Sequence, residues 1–145
     1  MEPARNSGIH FSMNMNTATR TALALILLLL SGAATAETLV REFTGSRSMQ
    51  TAEFEVEGPW LIDWRVNSEF EDSMGLAIVL LNEPARTHAG TVMKTKYRGD
   101  GLRLMEEGGR YSFKVDAVLA NWTIKVIQLS PDEAKMYAPK QKSLF

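Results

Sequence analysis

The sequence predicts an all-β protein: a single antiparallel β-sandwich, or a small barrel, of seven to eight short strands. A cleavable signal peptide precedes it and a short C-terminal helical turn follows it. Three observations carry this reading. Several short segments alternate apolar with polar side chains, the period of a half-buried strand. Gly, Pro, Asn and Asp punctuate the chain between those segments, as turns between strands require. A helical period is almost absent, which removes helix bundles and α/β folds. All three tryptophans fall in two such segments, Pro59-Trp60-Leu61-Ile62-Asp63-Trp64 and Asn121-Trp122-Thr123-Ile124-Lys125-Val126. Their indoles are expected to fill the centre of the core.

Residues 1–36 read as a secretory signal peptide. Arg20 precedes an unbroken apolar run over 22–30, and Ser31-Gly32-Ala33-Ala34-Thr35-Ala36 closes with an Ala-x-Ala cleavage signal. The uncharged stretch is short of the roughly 18 residues of a spanning helix. Residues 1–12 are polar and lie upstream of Met13 and Met15, so they read as an over-long start. Removing Arg5, Arg20 and Glu2 with the leader leaves 14 basic and 16 acidic residues, a net charge of −2. That balance indicates neither nucleic acid nor an anionic membrane as a partner, and no stable membrane insertion is expected once the leader is cleaved. The chain has no cysteine, which excludes disulfides and a lipid-modified cysteine after the leader. The expected location is periplasmic or secreted.

The elements follow in order within a domain spanning 37–130. Residues 39–44 form a first strand, ended by Gly45-Ser46. Residues 50–57 form a second, with Ala52, Phe54 and Val56 inward and Glu53, Glu55 and Glu57 outward. Gly58-Pro59 breaks it, because proline cannot donate to a ladder. Residues 60–66 place Trp60, Ile62, Trp64 and Val66 on the core face, with Leu61, Asp63 and Arg65 opposite. The stretch 67–75 is a polar, acidic loop. Residues 76–81 are apolar throughout and suit a strand covered on both faces. A loop over 84–90 contains His88, and 91–98 alternates again. Gly99-Asp100-Gly101 is expected to be a hairpin turn. Strands at 102–105, around Tyr111, Phe113 and Val115, and at 122–129 complete the set. Ser130-Pro131-Asp132-Glu133 is a helix-start signature, a capping serine with proline at the first position and a glutamate three residues on. Residues 131–145 are thus a short helical turn, stopped by Pro139, and a loose tail.

The segments 54–64, Gly109-Arg110-Tyr111-Ser112-Phe113-Lys114-Val115 and Ala120-Asn121-Trp122-Thr123-Ile124-Lys125-Val126 together resemble small exported bacterial β-sandwich domains of uncharacterised function. The resemblance covers most of the chain after the leader. It implies a fold and an export route, and it carries no catalytic residues, because its motifs are core motifs.

Candidate chemistry is sparse. No serine sits in a Gly-x-Ser-x-Gly elbow, and His88 is the single histidine after the leader, so neither a nucleophile elbow nor a histidine-rich metal cage is expected. Glu69, Glu71 and Asp72 lack the regular spacing of a calcium loop. Asn121-Trp122-Thr123 fits an N-glycosylation sequon, a coincidence if Trp122 is buried. The cation row Lys94, Lys96 and Arg98, with Tyr97 beside it, is the candidate binding surface. Its competing reading is a solvated face paired with the Glu53, Glu55 and Glu57 row on a neighbouring strand. The expectation is a non-enzymatic, exported binding, accessory or structural domain of the cell envelope, without cofactor or metal. Its partner would be an envelope protein or glycan. The alternative is a glycan-binding module using exposed aromatics such as Tyr97 or Tyr137.

Overall fold

The computed structural model describes residues 37–139. The expected signal peptide, 1–36, and the tail from 140 onward lie outside the described residues. The elements are β1 (Thr38–Gly45), β2 (Met49–Gln50), β3 (Phe54–Val56), β4 (Trp60–Asn67), β5 (Gly75–Asn82), β6 (Thr87–Thr95), β7 (Gly99–Met105), β8 (Gly109–Val118), β9 (Asn121–Gln128) and α1 (Pro131–Tyr137). They build two antiparallel sheets. One runs β1-β9-β4-β7; the other runs β2-β8-β5-β6, with β3 also paired to β8. The sheets stay open at their edges, so the fold is a sandwich and not a barrel.

Alternation decides the core. Trp60, Ile62 and Val66 of β4 and Trp122, Ile124 and Val126 of β9 face Leu76, Ile78 and Leu80 of β5 and Phe113 and Val115 of β8, all of them buried. Aromatic rings fill the side where β1 meets β3 and β8. Phe54 lies 5.1 Å from Phe113 and 5.7 Å from Trp60, and Phe43 lies 6.0 Å from Phe54, centroid to centroid. These are the separations at which tilted aromatic pairs attract. Buried indoles must also place their N–H groups. Trp60 Nε1 donates to the Glu107 carbonyl at 2.9 Å and Trp122 Nε1 to the Arg47 carbonyl at 3.1 Å. Each tryptophan thereby pins a loop at one end of the sandwich.

Several local expectations are revised. The segment 50–57 is two strands, which brings the total among the described residues to nine. Thr51 splits it by turning inward in place of Ala52. Its N–H donates to the Phe113 carbonyl at 2.9 Å, and its hydroxyl accepts from the Phe113 N–H at 2.9 Å. A side chain there does the work of a ladder carbonyl. β5 is covered on one face only along most of its length: Leu76, Ile78 and Leu80 are in the core, while Ala77 and Val79 are half-exposed. Leu61 is buried although it points away from the core, on the sheet face where Ile127 and Tyr137 of α1 lie. Trp64 is only partly buried. His88 sits in β6, not in a loop.

The largest revision concerns Gly99-Asp100-Gly101. These residues open β7 and do not turn the chain; the link 96–98 crosses from β6 in one sheet to β7 in the other. Gly101 pairs with Trp64, and a Cβ there would stand 2.4 Å from the indole Cζ2. The glycine is needed for close approach. The helix start behaves as expected. Ser130 Oγ accepts from the Glu133 N–H at 3.2 Å and Glu133 Oε2 accepts from the Ser130 N–H at 2.7 Å.

Candidate binding surface at one end of the sandwich

Strand direction gathers four connections at one end. β1, β4, β6 and β8 run toward it, and β2, β5, β7 and β9 run away, so the links 46–48, 68–74, 96–98 and 119–120 are neighbours there. Side chains tie these links together. The buried Ser68 hydroxyl donates to the Leu119 carbonyl and accepts from the Phe70 N–H at 2.9 Å. Glu71 forms an ion pair with Arg98, joining the acidic loop to the crossover. Ser48 Oγ accepts from the Ala117 N–H at 2.9 Å. Thr95 Oγ1 accepts from the Tyr97 N–H at 3.0 Å, which shapes the start of the crossover. The loops are therefore braced by local bonds, as loops that present side chains to a partner need to be.

What they present is apolar. Phe70 is 56% exposed, Tyr97 78%, Val118 59% and Leu119 49%. Leu119 also holds a left-handed backbone, φ 50°. That conformation disfavours a bulky apolar side chain, and Leu119 is not part of the core that could offset it. Neither core burial nor backbone preference accounts for a leucine at this position.

The predicted binding residues fall at this end but do not form one row. Lys94 lies on β6 opposite Ala77, on the outward side. It shares with Lys96 a shallow hollow of about 520 Å³, which Asp116, Ala117 and Val118 also line. Tyr97 follows in the crossover, and Arg98 is held by Glu71. The proposed pairing of this row with Glu53, Glu55 and Glu57 does not occur. β3 lies on one edge of its sheet and β6 on the other, and Glu53 faces Arg110 of β8 at 4.0 Å. Phe70, Val118 and Leu119 were not picked out from the sequence. A lone phenylalanine in an acidic loop was the available signal for Phe70.

The opposite end carries the more polar hollow, about 450 Å³, lined by His88, Arg103, Glu106, Glu107 and Tyr111 among others. Tyr111 and Arg103 are committed to structure. The Tyr111 hydroxyl donates to the Glu107 carbonyl at 3.2 Å, and burial followed by the Glu107 charge pushes its phenol above the usual range. Arg103 donates to the Thr91 and Val92 carbonyls at 2.6 and 3.1 Å. Nearby, Ser112 Oγ donates to Glu83 Oε1 at 2.7 Å, a bond that satisfies a fully buried hydroxyl. Among the described residues, no three histidine, aspartate or glutamate side chains converge to hold a metal ion. No described helix is long and apolar enough to cross a membrane.

No family model matches the chain, and a comparison with curated proteins finds no match.

Proposed function

We propose that this is an exported, non-enzymatic binding or accessory domain of the cell envelope, which engages a protein partner through the loop end of the sandwich. One observation carries the reading: Phe70, Tyr97 and Leu119 are exposed on braced loops at the end of the sandwich where the exposed Val118 closes β8, and Leu119 holds an unfavourable backbone conformation. Exposed apolar groups rimmed by charge mark interaction sites on soluble proteins, and strained residues cluster where contact is made. The leader-like 1–36 segment supports export to the periplasm or beyond. The net charge of −2 after that segment supports a partner other than nucleic acid.

A glycan is the second reading, favoured by Tyr97 alone: its ring is 78% exposed next to Lys96, the arrangement that stacks on a sugar face. One experiment separates the two. A photo-crosslinking residue at Phe70 or Tyr97, compared with one at Lys114 on the exposed face of β8, should trap a discrete envelope protein only from the loop end. The purified partner should then lose about 30-fold in affinity for Tyr97→Ser, the loss of a hot-spot contact. Equal trapping from Lys114 would sink the proposal. Binding to a glycan array, abolished by Tyr97→Ser, would replace it with the second reading.

A further inference from the structure

The four sheet edges are not equally protected. β1 carries a register slip between Leu39 and Arg41, and β6 carries two, at Ile78/Val79 and Leu80/Leu81 of its partner strand. The edge formed by β2 and β3 is broken at Thr51. Bulges and interruptions of this kind stop another strand from adding on. β6 is defended a second time, because the Arg103 guanidinium occupies the carbonyls of Thr91 and Val92. β7 has none of these defences. It pairs with β4 residue for residue from Gly99↔Val66 to Met105↔Trp60. Among the described residues, no backbone hydrogen bond reaches it from its free side.

The surface beside this edge has a definite chemistry. On the outer sheet face β7 presents Asp100, Leu102 and Leu104, the residues paired with Arg65, Asp63 and Leu61. Asp100 and Leu102 border a hollow of about 560 Å³ whose lining includes Leu61, Leu102 and Ile127 as apolar wall and Glu37, Asp63 and Asp100 as carboxylates. Arg65 is the one cation lining it, 4.0 Å from Asp63. α1 contacts β7, and its Tyr137 lines the hollow, yet Leu102 remains 56% exposed.

We propose that β7 is a docking edge for an extended polypeptide strand from a second protein, one whose successive outward-facing positions carry two apolar side chains and then a cationic one. The strand would complete the β7 ladder through its backbone, the interaction that gives strand addition its affinity. Successive side chains on the outer face would meet Leu104, Leu102 and Asp100, so apolar, apolar and cationic groups fit in that order. The carboxylate excess of the hollow then selects for cations and against acidic strands. This surface is distinct from the loop end, and the inference stands without the function proposed for that end.

The test uses the purified protein and two blocked peptides with palindromic sequences, Lys-Thr-Leu-Thr-Leu-Thr-Lys and Glu-Thr-Leu-Thr-Leu-Thr-Glu, so that strand direction does not matter. The lysine peptide should bind at least about tenfold more tightly, and should weaken severalfold in about 0.5 M salt. It should slow hydrogen exchange at the alternate amides of β7 that point away from β4. Asp100→Lys should reverse the peptide preference, and Leu102→Lys should abolish binding while leaving the thermal midpoint near its original value. Equal binding of both peptides, or binding without protection of β7 amides, would overturn the proposal. Protection of those amides that appears with protein concentration alone would also overturn it, by making a second copy of the chain the occupant.

Discussion

Gly101 and Trp64 illustrate what a single missing side chain decides. The Gly99-Asp100-Gly101 run invites the reading of a turn, yet Gly101 serves to leave room for an indole 2.4 Å from where its Cβ would sit. Gly58 is more constrained, since a Cβ there would lie 1.9 Å from the Glu106 carbonyl oxygen, and backbone cannot swing aside. Among the large side chains, Trp60 combines full burial with the hydrogen bond to Glu107. Trp60→Ala should cost about 3–5 kcal/mol in urea denaturation, for the cavity left by the indole. Against a usual total of about 5–15 kcal/mol this approaches loss of the fold. Two tyrosines make stability depend on alkaline pH. Burial and Glu107 raise the Tyr111 phenol above its ordinary value of 10.0, and the hydrogen bond to Glu37, then burial, raises that of Tyr137. A raised folded-state value contributes stability that is complete below the unfolded value and is lost as pH climbs through the folded one. Unfolding free energy should therefore fall as the pH climbs above about 10, and fall less steeply in the Tyr111→Phe, Tyr137→Phe double variant.

At the scale of elements, capping and edges matter most. α1 is only Pro131–Tyr137, too short to persist on propensity. It depends on the reciprocal bonds of Ser130 and Glu133 and on contact with the sheet. Ser130→Ala should cost about 1 kcal/mol. The loss should show in hydrogen exchange over 131–137 before it shows in the sandwich, because the helix is an appendage to the core. A uniform loss across all strands would mean that α1 is integral to the fold. The divided β2 and β3 show the complementary effect. There one threonine hydroxyl, on Thr51, satisfies the Phe113 N–H and ends a strand that alternation alone would continue.

For the whole molecule, the arrangement of strands places exposed apolar residues at one end and a hydrogen-bonded polar hollow at the other. Leu119 makes this testable by stability as well as by binding. Leu119→Asn exchanges a side chain that disfavours the left-handed region for one that tolerates it. It should raise stability by about 0.5–1 kcal/mol and at the same time weaken binding of the partner. Stability gained at the expense of binding is the expected signature of a residue kept for contact. If binding is unchanged, Leu119 has no part in the surface.

The sequence alone determined the class of fold, the faces of most strands, the helix start and the absence of cysteine chemistry. These follow from local rules: alternation has a period of two, a capping box spans four residues, and composition needs no geometry. Lys94, Lys96, Tyr97 and Arg98 were legible as a charged stretch for the same reason. What they face was not. Only the tertiary structure decided that the link 96–98 crosses between sheets, that Glu71 occupies Arg98, and that Phe70 and Leu119 stand beside them. It alone also decided that β7 is an edge with unbroken register while β1 and β6 are bulged. The physical reason is that strand order and register depend on pairings between residues far apart in the chain, and alternation is the same whichever neighbour a strand acquires.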